Sequence, residues 1–249
     1  MIKKKWEKFG RENPYYAVVT LDKFDNQKMN DEVRDEFFKT GYEYIERIWS
    51  EIEINFESDF APEKALDFGC GVGRLVFPIA ERAKNVVGID ISEKMLETAE
   101  ANAGDLNFEN VEFFQTGDFF EKNTERFDLI HSTIVFQHIK PKTGLDIFER
   151  LVGFLNKNGM GVVQFVYENP SPKIEALRFK FYRDIPVLYR IRNFIKKSRQ
   201  PLFPMYEYDL NKIFSILQKN DCHKCLVNFS FHGMNGVVIY FQKKEGYIY

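Results

Sequence analysis

Apolar side chains recur at three- and four-residue steps across Asn30–Phe56, at Val33, Phe37, Phe38, Tyr42, Ile45, Ile48, Trp49 and Ile52. This spacing predicts one long helix with a single apolar face, capped by Asn30 or Asp31. Beyond the Ser58–Lys64 link the period changes. Short apolar runs at Ala65–Phe68, Val86–Ile91, Val111–Gln115, Phe127–Thr133 and Gly159–Tyr167 read as buried strands, with helical stretches at Arg74–Ala83, Glu93–Ala103 and Thr143–Leu155 between them. Ser92 is placed to cap the second of these helices, and Glu93 suits its positive end. Strands alternating with helices predict a doubly wound, mostly parallel α/β sheet, whose ligands bind beyond the carboxyl ends of the strands where the strand order reverses. A helix at Tyr208–Asn220 and strands at Leu226–His232 and Gly236–Lys243 follow. The turn-rich His232-Gly-Met-Asn-Gly connection makes the last two an antiparallel hairpin, for seven strands in all.

The first strand runs into glycines, ALDFGCGVGR over Ala65–Arg74, and the second ends on an acid, VVGIDI over Val86–Ile91. Gly69, Gly71 and Gly73 leave bare backbone against which a ligand can lie. Asp90 follows the last of them by 17 residues, about where a carboxylate reaches a ribose. The pair predicts an adenosine-containing cofactor, although Asp90 could also cap the helix that Ser92 starts. Arg74 stands where a dinucleotide fingerprint has its third glycine, and Asp67 places negative charge where a pyrophosphate is repelled and a sulfonium or ammonium attracted.

The run Asp67-x-Gly69-x-Gly71-x-Gly73 resembles the first motif, D-x-G-x-G-x-G, of the class I S-adenosylmethionine-dependent methyltransferases. The resemblance covers residues 61–168 by its motifs and the flanks more loosely. It implies a Rossmann-like fold with a C-terminal antiparallel hairpin, S-adenosylmethionine as cofactor and S-adenosylhomocysteine as product. It also implies roles: Asp67 orients the aminoacyl end, the glycine turn meets the cofactor with backbone, and Asp90, with Ile91 beside it, holds the ribose. Asp118, in Thr116-Gly117-Asp118-Phe119, reads the adenine amino group or only caps a turn, and Phe119 offers its N–H and a packing surface to the ring. Side chains from Ile130 to Ile139 then face the methyl group, so His138 and His131 are candidate general bases and Gln137 orients cofactor or acceptor. Tyr206, Glu207 and His232 are candidate acceptor contacts. Glu207 could instead sit at a helix N-terminus and His232 in a solvated turn.

The 249 residues, 44% of them apolar and including 26 Phe and 12 Tyr, suffice for a large core. A net charge of −2 gives no global attraction to nucleic acid or anionic membrane. No apolar run has the length of a membrane span, and no cleavable apolar segment follows Met1-Ile2-Lys3-Lys4-Lys5, which predicts a cytoplasmic protein. Cys70, Cys222 and Cys225 suit a reducing compartment. The C-x-x-C at Cys222–Cys225, with His223 inside it, lacks a second pair, and no metal is expected.

The chain divides into a lid and helix (1–60), a cofactor-binding core (61–168), a basic insertion (169–205) and a C-terminal helix and hairpin (206–249). In the first part Trp6, Phe9, Tyr15 and Tyr16 either cover the cofactor or pack on the first long helix. Nine Lys and Arg from Lys173 to Arg199, opposed only by Glu175 and Asp184, interleave with apolar residues. Such a stretch is a solvated cap, a phosphate-binding patch or a peripheral membrane contact at the inner face. Neither the N/D-P-P-Y/F tetrapeptide nor the Pro-Cys pair of nucleic-acid base methyltransferases is present, so nucleic acid is not expected as acceptor. The leading expectation is a small-molecule or glycan O-methyltransferase, its acceptor phosphorylated or lipid-linked, resembling bacterial enzymes of surface-polysaccharide pathways. An aminopropyl transferase, which needs an acidic pocket, and a non-catalytic adenosyl-binding subunit are the alternatives.

Overall fold

The computed structural model describes residues 2–185, 187 and 204–244. Helices α1 (Ile2–Glu12), α2 (Pro14–Val18) and α3 (Asp31–Asn55) come first. The order then runs β1 (Lys64–Phe68), α4 (Val76–Ala80), β2 (Asn85–Asp90), α5 (Glu93–Asp105), β3 (Val111–Gln115), α6 (Thr116–Lys122), β4 (Phe127–Ser132), α7 (Pro141–Gly153) and β5 (Leu155–Glu168). Helices α8 (Lys173–Asp184) and α9 (Leu210–Lys219) and strands β6 (Lys224–Phe231) and β7 (Asn235–Gln242) complete it.

The seven strands form one sheet in the order β3-β2-β1-β4-β5-β7-β6. β1 to β5 are parallel, while β7 pairs antiparallel with both β5 and β6. The order reverses between β1 and β4, which puts the binding crevice at the ends of those two strands. The register there sets Asp67 directly against His131.

Capping follows the local chemistry. Asn30 accepts the Val33 N–H at 2.9 Å to start α3, and Ser92 accepts the Met95 N–H at 3.3 Å to start α5. The expected helix over Arg74–Ala83 shrinks to α4. Residues up to Leu75 are taken by the glycine turn, in which the Gly73 N–H donates to Cys70 O. Pro78 falls in the first turn of α4, where its missing N–H leaves no helical bond unmade.

The sheet has apolar cores on both faces. Helices α3, α4 and α5 cover one around Trp49, Phe37, Ile45, Val76 and Met95; α6, α7 and α9 cover the other. The second core is knitted by phenylalanines. Phe165 lies 4.7 Å from Phe136 and 5.1 Å from Phe148 between ring centroids, and all three are fully buried. Each such side chain contributes about 1.5–3 kcal/mol of burial free energy.

Candidate active site

The glycine turn leaves β1 with Gly69, Gly71 and Gly73 at φ of 77°, 56° and 88°. A Cβ at Gly69 would stand 2.3 Å from Val135 Cγ2, and one at Gly71 2.8 Å from Val18 Cγ2. Both positions therefore need glycine for conformation and for space. The Gly69 and Cys70 N–H groups donate to Ile89 O at 2.7 and 3.1 Å, which stitches the turn to β2. Gly69→Ala is expected to destabilise the protein by about 1–3 kcal/mol through left-handed strain and the displaced Val135, read as a lower Tm.

Asp90 closes the turn from the end of β2. One carboxylate oxygen accepts the Gly71 N–H at 3.1 Å, the other the Ser92 N–H at 2.8 Å. It thus holds the glycine loop and the α5 entrance while Ser92 does the capping. Burial pushes its pKa up to about 6 against these backbone bonds, with the Asp67 charge adding to the rise. Ile91 follows it, half-buried.

Asp118 and Phe119 lie in the first turn of α6, a helix the sequence reading does not assign after the strand ending at Gln115. Asp118 is exposed in the first helical turn. The Phe119 ring is not a surface for an adenine: it is turned into the core, tilted against Phe127 and edge-on to Phe154 at centroid distances of 6.1 Å. Only its backbone remains for that role.

Behind the glycine turn, Asp67 and His131 meet across β1 and β4. Asp67 Oδ1 lies 2.8 Å from His131 Nδ1, and the two residues are 3% and 1% exposed. A carboxylate accepts only, so the pairing places a proton on Nδ1 and turns Nε2 away from Asp67. That Nε2 is buried without a hydrogen-bond partner among the described residues, as is Gln137 Oε1 in the turn after β4.

The chain beyond β4 is strained. Ile134 adopts φ of 61°, an unfavourable conformation for a β-branched residue, and this bend brings Val135 onto Gly69. Gln164 on β5 holds the bend. Its Oε1 accepts the Ile134 N–H at 2.8 Å and the Thr133 hydroxyl at 3.1 Å, while its amide donates to Ser230 at 3.3 Å. Tyr44 of α3 donates to Thr133 Oγ1 at 3.0 Å and sets its ring edge-on to His131. Sequence reasoning places Thr133 in the Ile130–Ile139 stretch but misses Tyr44 and Gln164. Only a buried glutamine within the apolar β5 run signalled them. Gln164→Leu removes both acceptor bonds. We expect at least about a tenfold loss of kcat, with a smaller change in adenosylhomocysteine affinity, measured by steady-state kinetics and calorimetry.

His138, expected as a general base, occupies another role. Its Nδ1 donates to Pro204 O at 2.8 Å, its Nε2 faces the Gln137 amide at 3.3 Å, and Trp6 covers it edge-on at 5.4 Å. Burial pushes its pKa down to about 4. The ring is a neutral link between the β4 turn, the segment entering α9 and α1. A depressed folded pKa means stability that is full above the ordinary histidine range and lost as pH falls from about 6.5 towards 4. Wild type should therefore lose up to about 3 kcal/mol more than His138→Gln between pH 7 and pH 4.5, read by denaturant titration.

The N-terminal segment packs on the glycine turn, α3 and the start of α5. Val18 lies against Gly71, and Glu7 accepts the N–H groups of Glu93 and Lys94 at 2.8 and 3.3 Å, at the start of α5. Tyr15 packs edge-on against Phe37 and donates to Asn102, whose amide in turn donates to Val72 O in the glycine turn.

Among the described residues the remaining candidates make no hydrogen bond to the Asp67–His131 pair, although the Tyr206 N–H donates to Gln137 O at 2.8 Å. Tyr206 lies under the Arg183 guanidinium at 4.7 Å, Glu207 pairs with Lys180 at 3.5 Å, and His232 sits exposed in the β6–β7 turn. Among the described residues no group of three or more metal-ligating side chains forms. Of the basic insertion, Arg190, Arg192, Lys196, Lys197 and Arg199 lie outside the described residues.

A model of the methyltransferase domain matches residues 60–183, which hold the glycine turn, Asp90, Asp118 and the Asp67–His131 pair. The chain belongs to the class I S-adenosylmethionine-dependent methyltransferases. Magnesium protoporphyrin IX methyltransferase from Synechocystis, solved with bound S-adenosylhomocysteine, shares the fold at a TM-score of 0.65 and 16% identity, over 98% of both chains. The N-methyltransferase NodS from Bradyrhizobium japonicum superposes at 0.56 and 15% identity, over 94% of this chain and 100% of its own.

Curated relatives diverge in what they are named for. A release factor glutamine methyltransferase from Buchnera aphidicola is 31% identical over 51% of this chain, and a 23S rRNA uracil-C5 methyltransferase from Haemophilus parainfluenzae 31% over 42%. A ubiquinone biosynthesis O-methyltransferase from Neisseria meningitidis is 28% identical over 50%. The matches span 46%, 22% and 52% of those relatives' lengths. With protein, RNA and small-molecule methyltransferases all among them, the expectation against nucleic acid is not carried forward. No helix among the described residues is long and apolar enough to cross a membrane.

Proposed function

We propose that this methyltransferase moves a methyl group from S-adenosylmethionine to an oxygen of a small-molecule or glycan acceptor, with His131 as general base and Asp67 as its orienting carboxylate. The reading is carried by the Nδ1-anchored imidazole beside the glycine turn, whose Nε2 is buried and unpartnered. An imidazole whose Nδ1 is held by a carboxylate suits a hydroxyl nucleophile, which must lose its proton as it attacks.

The residues around the crevice fit the cofactor. Bare backbone at Gly69 and Gly71 accommodates its aminoacyl portion, Asp90 accepts from the ribose hydroxyls, and Asp118 with the Phe119 N–H meets the adenine edge. Gln137 Oε1, buried without a partner, suits the cofactor's ammonium. When bound, S-adenosylmethionine supplies a methyl group activated by the adjacent sulfonium. The protein aims that group, excludes water and takes the acceptor's proton at His131 Nε2, while Asp67 stabilises the imidazolium that forms. Tyr206, Glu207 and His232 contact the acceptor at the rim.

The test is a labelled-methyl screen over phosphosugars, lipid-linked glycans, phenols, amines and RNA, with adenosylhomocysteine binding measured alongside. Labelling of a hydroxyl acceptor, lost in His131→Ala, supports the reading. Labelling of amines or RNA alone rejects it, and cofactor binding with no acceptor labelled favours a non-catalytic subunit.

A further inference from the structure

Helix α8 is docked the wrong way round for a protein facing only water. Lys180 pairs with Glu207 at 3.5 Å, and Arg183 donates to Met205 O at 3.1 Å while stacking over Tyr206, so the charged side grips the segment entering α9. The apolar residues Ile174, Leu177 and Phe181, spaced three and four apart on the other side, are 83%, 70% and 54% exposed. Ile185 and Val187 continue the exposure at 40% and 57%. Of the eleven large apolar residues that stand exposed among the described residues, these five and two more, Phe229 and Phe231 on edge strand β6, fall in this region. Phe231 pairs with Asn235, which pairs with Glu168 at the end of β5, five residues before α8 begins. The two apolar groups therefore share the acceptor end of the sheet.

Water is a poor partner for so many exposed apolar side chains at one end of the sheet. Charge indicates what covers it. Arg178 is exposed on the edge of the apolar stripe, and from Lys173 to Arg199 the sequence carries nine Lys and Arg against two acids, in a chain whose net charge is −2. Exposed apolar side chains beside Arg178, in a stretch of sequence with excess positive charge, match a bilayer with anionic headgroups, which takes apolar stems into its interface and attracts each base near its surface by about 1 kcal/mol.

We propose that the exposed face of α8, with Phe229 and Phe231, docks this methyltransferase on an anionic membrane surface. The contact lies outside the Asp67–His131 pair and the glycine turn, so docking and cofactor binding are separable. Vesicles of mixed phosphatidylglycerol and phosphatidylcholine, and of phosphatidylcholine alone, test it by co-flotation with the full chain. Wild type should float with the anionic vesicles. The triple variant Ile174→Glu, Leu177→Glu, Phe181→Glu and the single variant Arg178→Glu should lose about tenfold or more, and about fivefold, of that partitioning.

Adenosylhomocysteine affinity, unchanged in both variants, shows that they fold. No flotation of wild type with anionic vesicles overturns the proposal, as does equal flotation of the triple variant. Light scattering provides a further arm: a wild-type dimer that the triple variant dissolves, without vesicle binding, assigns the face to a second copy of the chain and overturns membrane docking.

Discussion

His131→Gln is expected to lower kcat by about 10²–10⁴-fold while leaving adenosylhomocysteine affinity within a few-fold of wild type. The choice of glutamine matters. Asp67 is 3% exposed, and removing its partner outright leaves a buried carboxylate uncompensated, which costs about 3–5 kcal/mol. A glutamine amide can still donate to Asp67 yet has no basic nitrogen, so it separates loss of the base from loss of the fold. His131→Ala provides the complementary arm: added imidazole should restore part of its turnover if the missing group is a base. Failure of imidazole to rescue, together with a full-rate His131→Gln enzyme, would leave the pair a structural tie between β1 and β4. Asp67→Asn should follow His131→Gln in direction, because an amide at that position no longer imposes the Nδ1–H tautomer.

The ranking of the two histidines shows where a sequence stops being readable. His131 ends the fourth strand and His138 follows in the turn beyond it, and spacing alone does not say which ring reaches the reacting atoms. The sheet does. Register sets His131 opposite Asp67, whereas His138 lies beyond the strand in a 3₁₀ turn where a carbonyl 66 residues away claims its ring. Such long-range pairings leave no periodic signature. For the same reason Gln164 was invisible as the clamp on Ile134, although the β5 strand carrying it was legible from its apolar run.

What was legible rests on local physics. The period-3.6 pattern of α3, its Asn30 cap, the alternation of strands and helices and the glycine-to-acid spacing all survive in the fold. Misplaced boundaries trace to backbone chemistry that composition hides. Left-handed turns at Gly69–Gly73 shorten α4, and helix α6 starts within the sequence Thr-Gly-Asp, which also suits a turn. The Phe119 ring reads as a packing surface for adenine because an aromatic next to a ligand motif and an aromatic in a core look alike in sequence. Only the α6 helix turns it inward, against Phe127 and Phe154.

Replacing Asp90 with alanine is expected to weaken adenosylhomocysteine binding by about 10–100-fold, the equivalent of one or two charge-assisted hydrogen bonds. The acid also predicts a pH dependence of definite sign. In the free protein burial raises its pKa to about 6, so near neutral pH the carboxylate is charged and ready to accept from the ribose hydroxyls. Those donors stabilise the charged form, so binding lowers the pKa and expels the proton when one is present. Affinity should therefore be flat above pH 7 and fall as pH drops through 6, approaching tenfold per unit. Calorimetry in buffers of different ionisation enthalpy should detect the released proton near pH 5.5. Asp90→Asn keeps the shape but not the titration, and its weaker binding should be level over the same range. A wild-type affinity unchanged from pH 7.5 to 5, or an Asp90→Asn profile that still bends at 6, would place the controlling proton on another group and remove Asp90 from the ribose. The two backbone bonds to Gly71 and Ser92 make the prediction sharper. They reach one oxygen each, so a single carboxylate holds the loop in shape while still presenting lone pairs to the hydroxyls.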